Sequence, residues 1–206
     1  MYDWEQDKRA GKEVCPPLPS MMIVPSHLVG QAYREAINFT AGTTDILVYH
    51  GDDRKQLNTM KMVKGTLTRD HEYFAAHNDK NIRRIIITTH STLDTRHRPQ
   101  KLQAWRRSRR VVGRTPAEDA EMAQHPDWDC SFLLPNLWNV VAVDESHFIK
   151  RITSHWSRAI EWLIALFYLL ASATPASNNI SDWKGYFKFL QPRKEPKTAA
   201  GLPFTD

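Results

Sequence analysis

The sequence predicts an α/β fold, a parallel β-sheet with helices on both faces. Two observations carry this expectation. Five short runs are of strand length and apolar on both alternating faces, as strands buried within a parallel sheet are. Helix-patterned or polar sequence separates most of them, and strand–helix alternation builds a sheet of right-handed crossovers.

The runs occur in this order. SMMIV at Ser20–Val24 ends at Pro25, and DILVY at Asp45–Tyr49 ends at His50-Gly51-Asp52. RIIIT at 84–88 ends at Thr89-His90-Ser91, and NVVAV at 139–143 ends at Asp144-Glu145. LFYLLA at 166–171 ends at Ser172-Ala173-Thr174. Between the first two, residues 27–38 place Leu28, Ala32, Tyr33 and Ala36 on one helical face. Residues 154–165 do the same with Trp156, Ile160, Leu163 and Ile164. In open α/β sheets ligands bind outside the carboxyl ends of the strands. The polar strand ends are therefore expected to converge on one functional rim.

Composition agrees with a folded domain. The 206 residues are 41% apolar and 10% aromatic, enough for a real core. Only 8 Gly and 12 Pro exclude collagen-like or low-complexity sequence. Two cysteines, Cys15 and Cys130, build no disulfide framework and match no zinc spacing, so a reducing intracellular compartment is the default. The most apolar stretch, 162–173, is too short to span a bilayer, and it reads as a buried helix running into a buried strand. No membrane association is expected. The N-terminus is too charged for a signal peptide.

The net charge of +5 is unevenly placed. Residues 96–114 hold eight Lys and Arg and no acid, and setting them aside leaves 20 basic against 23 acidic residues. The polar stretch at about 95–135 reads as an insertion or long surface loop. Within it, Arg106, Arg107, Arg109 and Arg110 admit three readings: a solvated loop, a nuclear-import signal, or a patch for DNA phosphates. Trp105 beside them would stack on a base or anchor the loop. His50, His71, His77, His97 and His125 show no ligand spacing and read as surface or loop histidines. The expected division is a charged segment over 1–19, a lobe over 20–192 and a tail over 193–206.

The sharpest chemical signal is Val140-Val141-Ala142-Val143-Asp144-Glu145-Ser146-His147. An apolar strand delivers two adjacent carboxylates at its C-terminal end. Such a pair can divide labour, one holding Mg²⁺ through water and the other orienting or deprotonating an attacking water. A solvated acidic turn is the plain alternative for an isolated Asp-Glu pair.

The segment from Trp138 through Asp144-Glu145-Ser146-His147 to Lys150 resembles the Walker B motif (motif II) of the Swi/Snf family of DNA-translocating ATPases, within the DEAD/DEAH-type helicase superfamily. Its pattern there is W-x-x-V-I-x-D-E-A-H-x-I-K, with Ser146 here in place of a small residue. Ile23-Val24-Pro25-Ser26-His27-Leu28 to Gln31 resembles motif Ia, with Ala32 where the family has Trp. Ile86-Ile87-Thr88-Thr89-His90-Ser91-Thr92-Leu93 resembles the I-T-T-Y-x-x-L motif (Ib), with His90 for Tyr. Leu170-Ala171-Ser172-Ala173-Thr174-Pro175 resembles motif III, and the similarity continues through Asp182 to Phe189-Leu190.

This resemblance implies a RecA-like parallel sheet of the P-loop NTPase type, with ATP and Mg²⁺ as cofactors and double-stranded DNA or nucleosomes as partners. It implies ATP-driven translocation on DNA, as in nuclear chromatin remodelling or repair. Asp144 would bind Mg²⁺ through water, and Glu145 would be the general base. His147 with Ser172, Ala173 and Thr174 would couple nucleotide state to lobe movement. Ser26, His27, Thr88, Thr89 and His90 would lie near the DNA backbone.

A phosphate cradle of the form G-x-x-x-x-G-K-[ST] does not occur in the 206 residues. The Gly11-Lys12 pair is followed by Glu13 and has Gln6 where the first glycine belongs. The chain therefore reads as a first RecA-like lobe with its P-loop strand and helix missing, and without the second lobe. Whether the chain is itself an enzyme stays open at this level; the alternative is a catalytically inactive DNA- or protein-binding lobe. Either way, omission of a strand and helix is expected to expose a sheet edge or face built for burial.

Overall fold

The computed structural model describes residues 17–51, 60–68, 71–74, 78–97, 138–151, 154–161, 163, 165–174 and 183–190. The strands are β1 (Ser20–Val24), β2 (Asp45–Tyr49), β3 (Arg84–Thr89), β4 (Trp138–Val143) and β5 (Ala165–Leu170). They form one sheet in the order β2-β3-β1-β4-β5, and every pairing is parallel. The five expected runs are these five strands, with ends that move by one residue. The helices are α1 (Val29–Thr40), α2 (His90–Arg96), α3 (His155–Glu161) and α4 (Trp183–Leu190).

Side-chain alternation divides the core in two. Met21, Ile23, Leu47, Tyr49, Ile86, Val141 and Val143 face one side, where α2, α3 and α4 bring Leu93, Ile160, Tyr186 and Phe189. Val24, Ile46, Val48 and Ile87 face the other side, where α1 brings Val29 and Tyr33. The chain runs outward from β1 to β2 across the α1 face. The steps from β3 to β4 and from β4 to β5 go the opposite way, and the helices described after those strands, α2 and α3, lie on the other face. Right-handed crossovers in opposite directions require opposite faces, so strand order and helix placement agree.

α1 begins two residues later than its apolar pattern suggests, because a 3₁₀ turn at Ser26–Leu28 precedes it. It stops where Ala41 and Gly42 turn left-handed, at φ 46° and 76°. Gly42 meets that demand at no steric cost, whereas Ala41 carries a Cβ into it.

One expectation fails. The 162–173 stretch is not a buried helix feeding a buried strand, because β5 is an exposed edge. Phe167 is 68% exposed, Leu169 61% and Leu166 41%. Phe167 pairs in register with Val140, and Leu169 with Ala142. These four residues share the face that α1 covers farther along the sheet. Among the described residues no helix covers that face at β4 and β5, and no strand lies beyond β5. The apolar run suited a fully covered strand, but burial is set by neighbours that lie outside the run.

No helix among the described residues is long and apolar enough to cross a membrane.

Candidate nucleotide-site half

Because all five strands are parallel, their C-terminal ends lie at one rim. β4 brings Asp144 and Glu145 there. The ladder continues one step past the strand on both sides: Asp144 N–H donates to Ile23 O at 2.9 Å, and Ala171 N–H donates to Val143 O at 2.9 Å. Ser146 N–H then donates to Ala171 O at 2.8 Å, which ties the turn after β4 to the end of β5.

Glu145 takes up the left-handed conformation, at φ 50° and ψ 46°. For a residue with a Cβ this costs about 1–2 kcal/mol. Its amide donates to Asp144 Oδ1 at 2.9 Å, which offsets part of that cost. The turn reverses the chain into a 3₁₀ segment at Ser146–Ile149 with Ser146 and Ile149 buried. Both carboxylates remain partly exposed at the rim.

His147 connects the two strand ends. Its Nδ1 lies 3.0 Å from Glu145 Oε2 and 3.5 Å from Ser172 Oγ. Ser172 Oγ in turn accepts from Thr174 N–H at 3.2 Å. Glu145, His147 and Ser172, drawn from three sequence positions, therefore form one contact series, and Ala173 and Thr174 are exposed beside it.

Asp144 suits Mg²⁺ by its chemistry. Mg²⁺ is a hard cation usually held by one or two carboxylates, retained waters and substrate phosphates. A carboxylate at a strand end meets that description, and among the described residues no cluster of three metal-ligating side chains competes with it.

The rim residues named from motifs Ia and Ib separate into two groups. Ser26 and His27 are exposed. Thr88, Thr89 and His90 are buried, so these side chains do not present themselves at the surface. Thr88 Oγ1 donates to Tyr49 O at 2.7 Å. Thr89 Oγ1 accepts from Thr92 N–H at 3.1 Å and so caps α2. Arg106, Arg107, Arg109 and Arg110 lie outside the described residues, as do Trp105, His77, His125, both cysteines and all but the first few residues of the expected insertion.

Of the histidines read as surface or loop residues, His97 is buried and His50 is half-buried in the loop after β2. His97 Nε2 lies 3.1 Å from Tyr49 Oη. His50 Nδ1 lies 3.0 Å from Thr92 Oγ1, and burial with the nearby Arg96 charge lowers its pKa. Arg96 stacks over the Tyr49 ring and donates to the carbonyls of Gly51 and Gly65. This network fastens the end of β2 to α2. Its partners lie more than 30 residues apart in sequence, so no local spacing signals it.

Sequence reasoning also missed an aromatic cluster behind the carboxylates. His90, at the start of α2, lies 5.8 Å from Phe148 and 5.3 Å from Trp156 between ring centroids. Phe148 meets Trp156 edge-on at 5.0 Å, and His147 lies 4.2 Å from Phe148. Burial pushes the His90 pKa down to about 4, against a smaller opposing pull from Asp144; the His147 charge also lowers it. The ring is therefore neutral at physiological pH.

The chain is similar to known proteins. The family described as the SNF2-related domain matches residues 2–198. The ATP-dependent helicase FUN30 of Saccharomyces cerevisiae is 35% identical over 65 residues, which are 32% of this chain and 6% of that protein. The Sulfolobus solfataricus SWI2/SNF2 ATPase core in complex with dsDNA superposes with a TM-score of 0.45 at 16% identity, covering 90% of this chain and 27% of that one. The chain thus spans a small part of each. With a family match over nearly its whole length and an all-parallel RecA-like sheet, the chain belongs to the SNF2-related domain family.

Proposed function

We propose that this chain supplies the metal-holding and water-activating half of an ATP-hydrolysing site in a DNA translocase of the chromatin-remodelling or repair type, acting in the nucleus. The observation that carries the reading is the turn after β4. A strained Glu145 stands beside Asp144 at a parallel-strand end, and His147 joins it to Ser172. Strain retained at a carboxylate pair is a mark of function rather than of stability.

Asp144 would hold Mg²⁺ through water, and the ion supplies charge neutralisation at the phosphates when bound. Glu145 takes the proton of the attacking water on its carboxylate. His147 fixes the direction of that carboxylate by the contact at Oε2, and Ser172 reports the arrangement to the end of β5. The exposed Ser26 and His27 offer contacts to the DNA backbone at the same rim, which carry affinity but no sequence information. The phosphate cradle would come from beyond this chain and pack against the bare side of β5. The open edge and the uncovered Val140, Ala142, Phe167 and Leu169 support that placement. A further strand beside β5, followed by a helix on this face and a crossover into β1, has the right-handed sense. Its strand-to-helix turn would fall at the carboxylate rim, where a helix N-terminus favours phosphate.

Paramagnetic broadening by Mn²⁺–ATP tests the metal assignment on the chain itself. Broadening should centre on residues 144–146 and 172–174 and vanish in Asp144→Asn. Broadening spread over other acidic residues, or unchanged in Asp144→Asn, would remove the assignment.

A further inference from the structure

The buried ring of His90 has no part in the chemistry described so far. It is 4% exposed, and its Nε2 has no hydrogen-bond partner among the described residues. A buried nitrogen left in that state is a liability unless the ring is needed for its shape and place. Its surroundings supply that need. His90 and Trp156, from α2 and α3, form two walls around Phe148. Phe148 is itself 39% exposed, and these two rings contact it. Phe148 in turn lies 4.2 Å from His147 at an interplanar angle of 43°. His147 turns its Nδ1 to Glu145 Oε2 at 3.0 Å.

We infer that His90 is a positioning residue for the water-activating carboxylate: it seats Phe148, Phe148 orients the His147 ring, and His147 holds Glu145 through an Nδ1–H donor. The role as a positioner of a base rests on the proposed function of Glu145. The geometric claim does not, because it concerns which nitrogen of His147 carries the proton.

The neighbourhood fits a contact role. The His90–Phe148, His90–Trp156 and Phe148–Trp156 pairs lie at centroid distances of 5.8, 5.3 and 5.0 Å, within the about 4.5–7 Å at which edge-on or tilted rings attract beyond their burial, and His147 approaches Phe148 more closely still, at 4.2 Å. The proton position on an imidazole is set by the hydrogen bond that one nitrogen makes. When the Phe148 ring shifts, His147 loses the restraint that keeps Nδ1 toward Glu145. Its proton can then move to Nε2. A phenylalanine at position 90 preserves the wall, whereas alanine removes it.

Long-range ¹H–¹⁵N correlation spectra of the uniformly labelled full chain read this directly. They are recorded without nucleotide at one pH about 8, above the ordinary imidazole range. His147 should show the Nδ1–H tautomer in the natural sequence and in His90→Phe. His90→Ala and Phe148→Leu should lose it. Phe148→Leu changes a partly exposed side chain and decides the matter should His90→Ala not fold. An Nδ1–H tautomer that persists in a folded Phe148→Leu, or in a folded His90→Ala, would overturn the inference. A purely structural role for His90 would change the melting temperature and leave the tautomer alone. Because nucleotide is absent, failure of the Mn²⁺–ATP test would remove the proposed function and leave this result standing.

Discussion

The two edges of the sheet are built to different standards. At the β2 edge, the backbone of 61–63 lies alongside the strand: Val48 N–H donates to Lys61 O, and Val63 N–H donates to Val48 O, both at 2.8 Å. Ile46, Leu47, Val48 and Tyr49 are all buried, and Asp45 at the strand start is ion-paired to Lys61 and Arg84. At the β5 edge no described segment lies alongside. Phe167 and Leu169 face outward on one side, and the strand ALFYLL contains neither charge nor proline. Natural edge strands are usually blunted by such residues or covered. The difference teaches that the two ends have different purposes. The β2 end has chain alongside it, whereas the β5 end, next to Ser172 and the carboxylates, is left apolar and open among the described residues, as the proposed function requires.

The largest test of this contrast is a matched pair of truncations. Leu47→Ala, at a fully buried position, should cost about 2–5 kcal/mol in urea denaturation. Leu169→Ala should cost less than about 1 kcal/mol, because most of its side chain is already in water. Equal costs would show that β5 is covered after all.

The packed face carries an acid weakness. The folded His90 takes up its proton near pH 4, whereas an unfolded histidine does so near 6.5. Between those values the unfolded chain binds more protons, so its population grows as pH falls. The His90 contribution is full above about pH 6.5 and declines toward pH 4, by about 3 kcal/mol in all. His50 and His71, whose pKa values burial also lowers, act in the same sense. Asp45 acts at more acid pH: burial alone would raise its pKa, but Lys61 and Arg84 together hold it down. His90→Phe should therefore flatten the stability–pH curve over the upper window and leave the lower one. An unchanged curve would contradict the buried placement of His90.

A smaller effect probes the one face of β5 that is covered. In α4, a Cβ on Gly185 would collide with the Lys150 carbonyl and lie 2.8 Å from Lys150 Cα. That backbone cannot yield as a flexible side chain would. Gly185→Ala should cost about 1–3 kcal/mol and loosen Tyr186 and Phe189 from the core, seen as faster amide exchange in α4. Protection in α4 unchanged by the substitution would mean that the helix does not pack this closely.

Most of the sheet was legible because parallel strands write themselves as short apolar runs, and all five did, the exposed β5 among them. The carboxylate turn was legible for the same reason, since Val143-Asp144-Glu145 marks where such a run meets the rim. The exposure of Phe167 and Leu169 was not, because LFYLLA looks the same whether or not a neighbour covers it. His97 read as a surface or loop histidine because its partner, Tyr49, is 48 residues away. His90 carried a resemblance to a DNA-facing position, yet its ring is held inside by Phe148 and Trp156 on other elements. Local pattern identifies what a residue is suited to, and long-range neighbours decide which of those uses it receives.

The central claim is that Asp144 and Glu145 form half of a hydrolytic site whose phosphate-binding half must be added beyond β5. Phosphate release from MgATP, with and without duplex DNA, measures this directly on the 206-residue chain and on Glu145→Gln. The account predicts that the two proteins release phosphate at the same background rate, because positioning and charge neutralisation at the phosphates supply most of the acceleration in phosphoryl transfer. DNA-stimulated release that disappears in Glu145→Gln would show that this chain holds the phosphates by itself, and would contradict the claim.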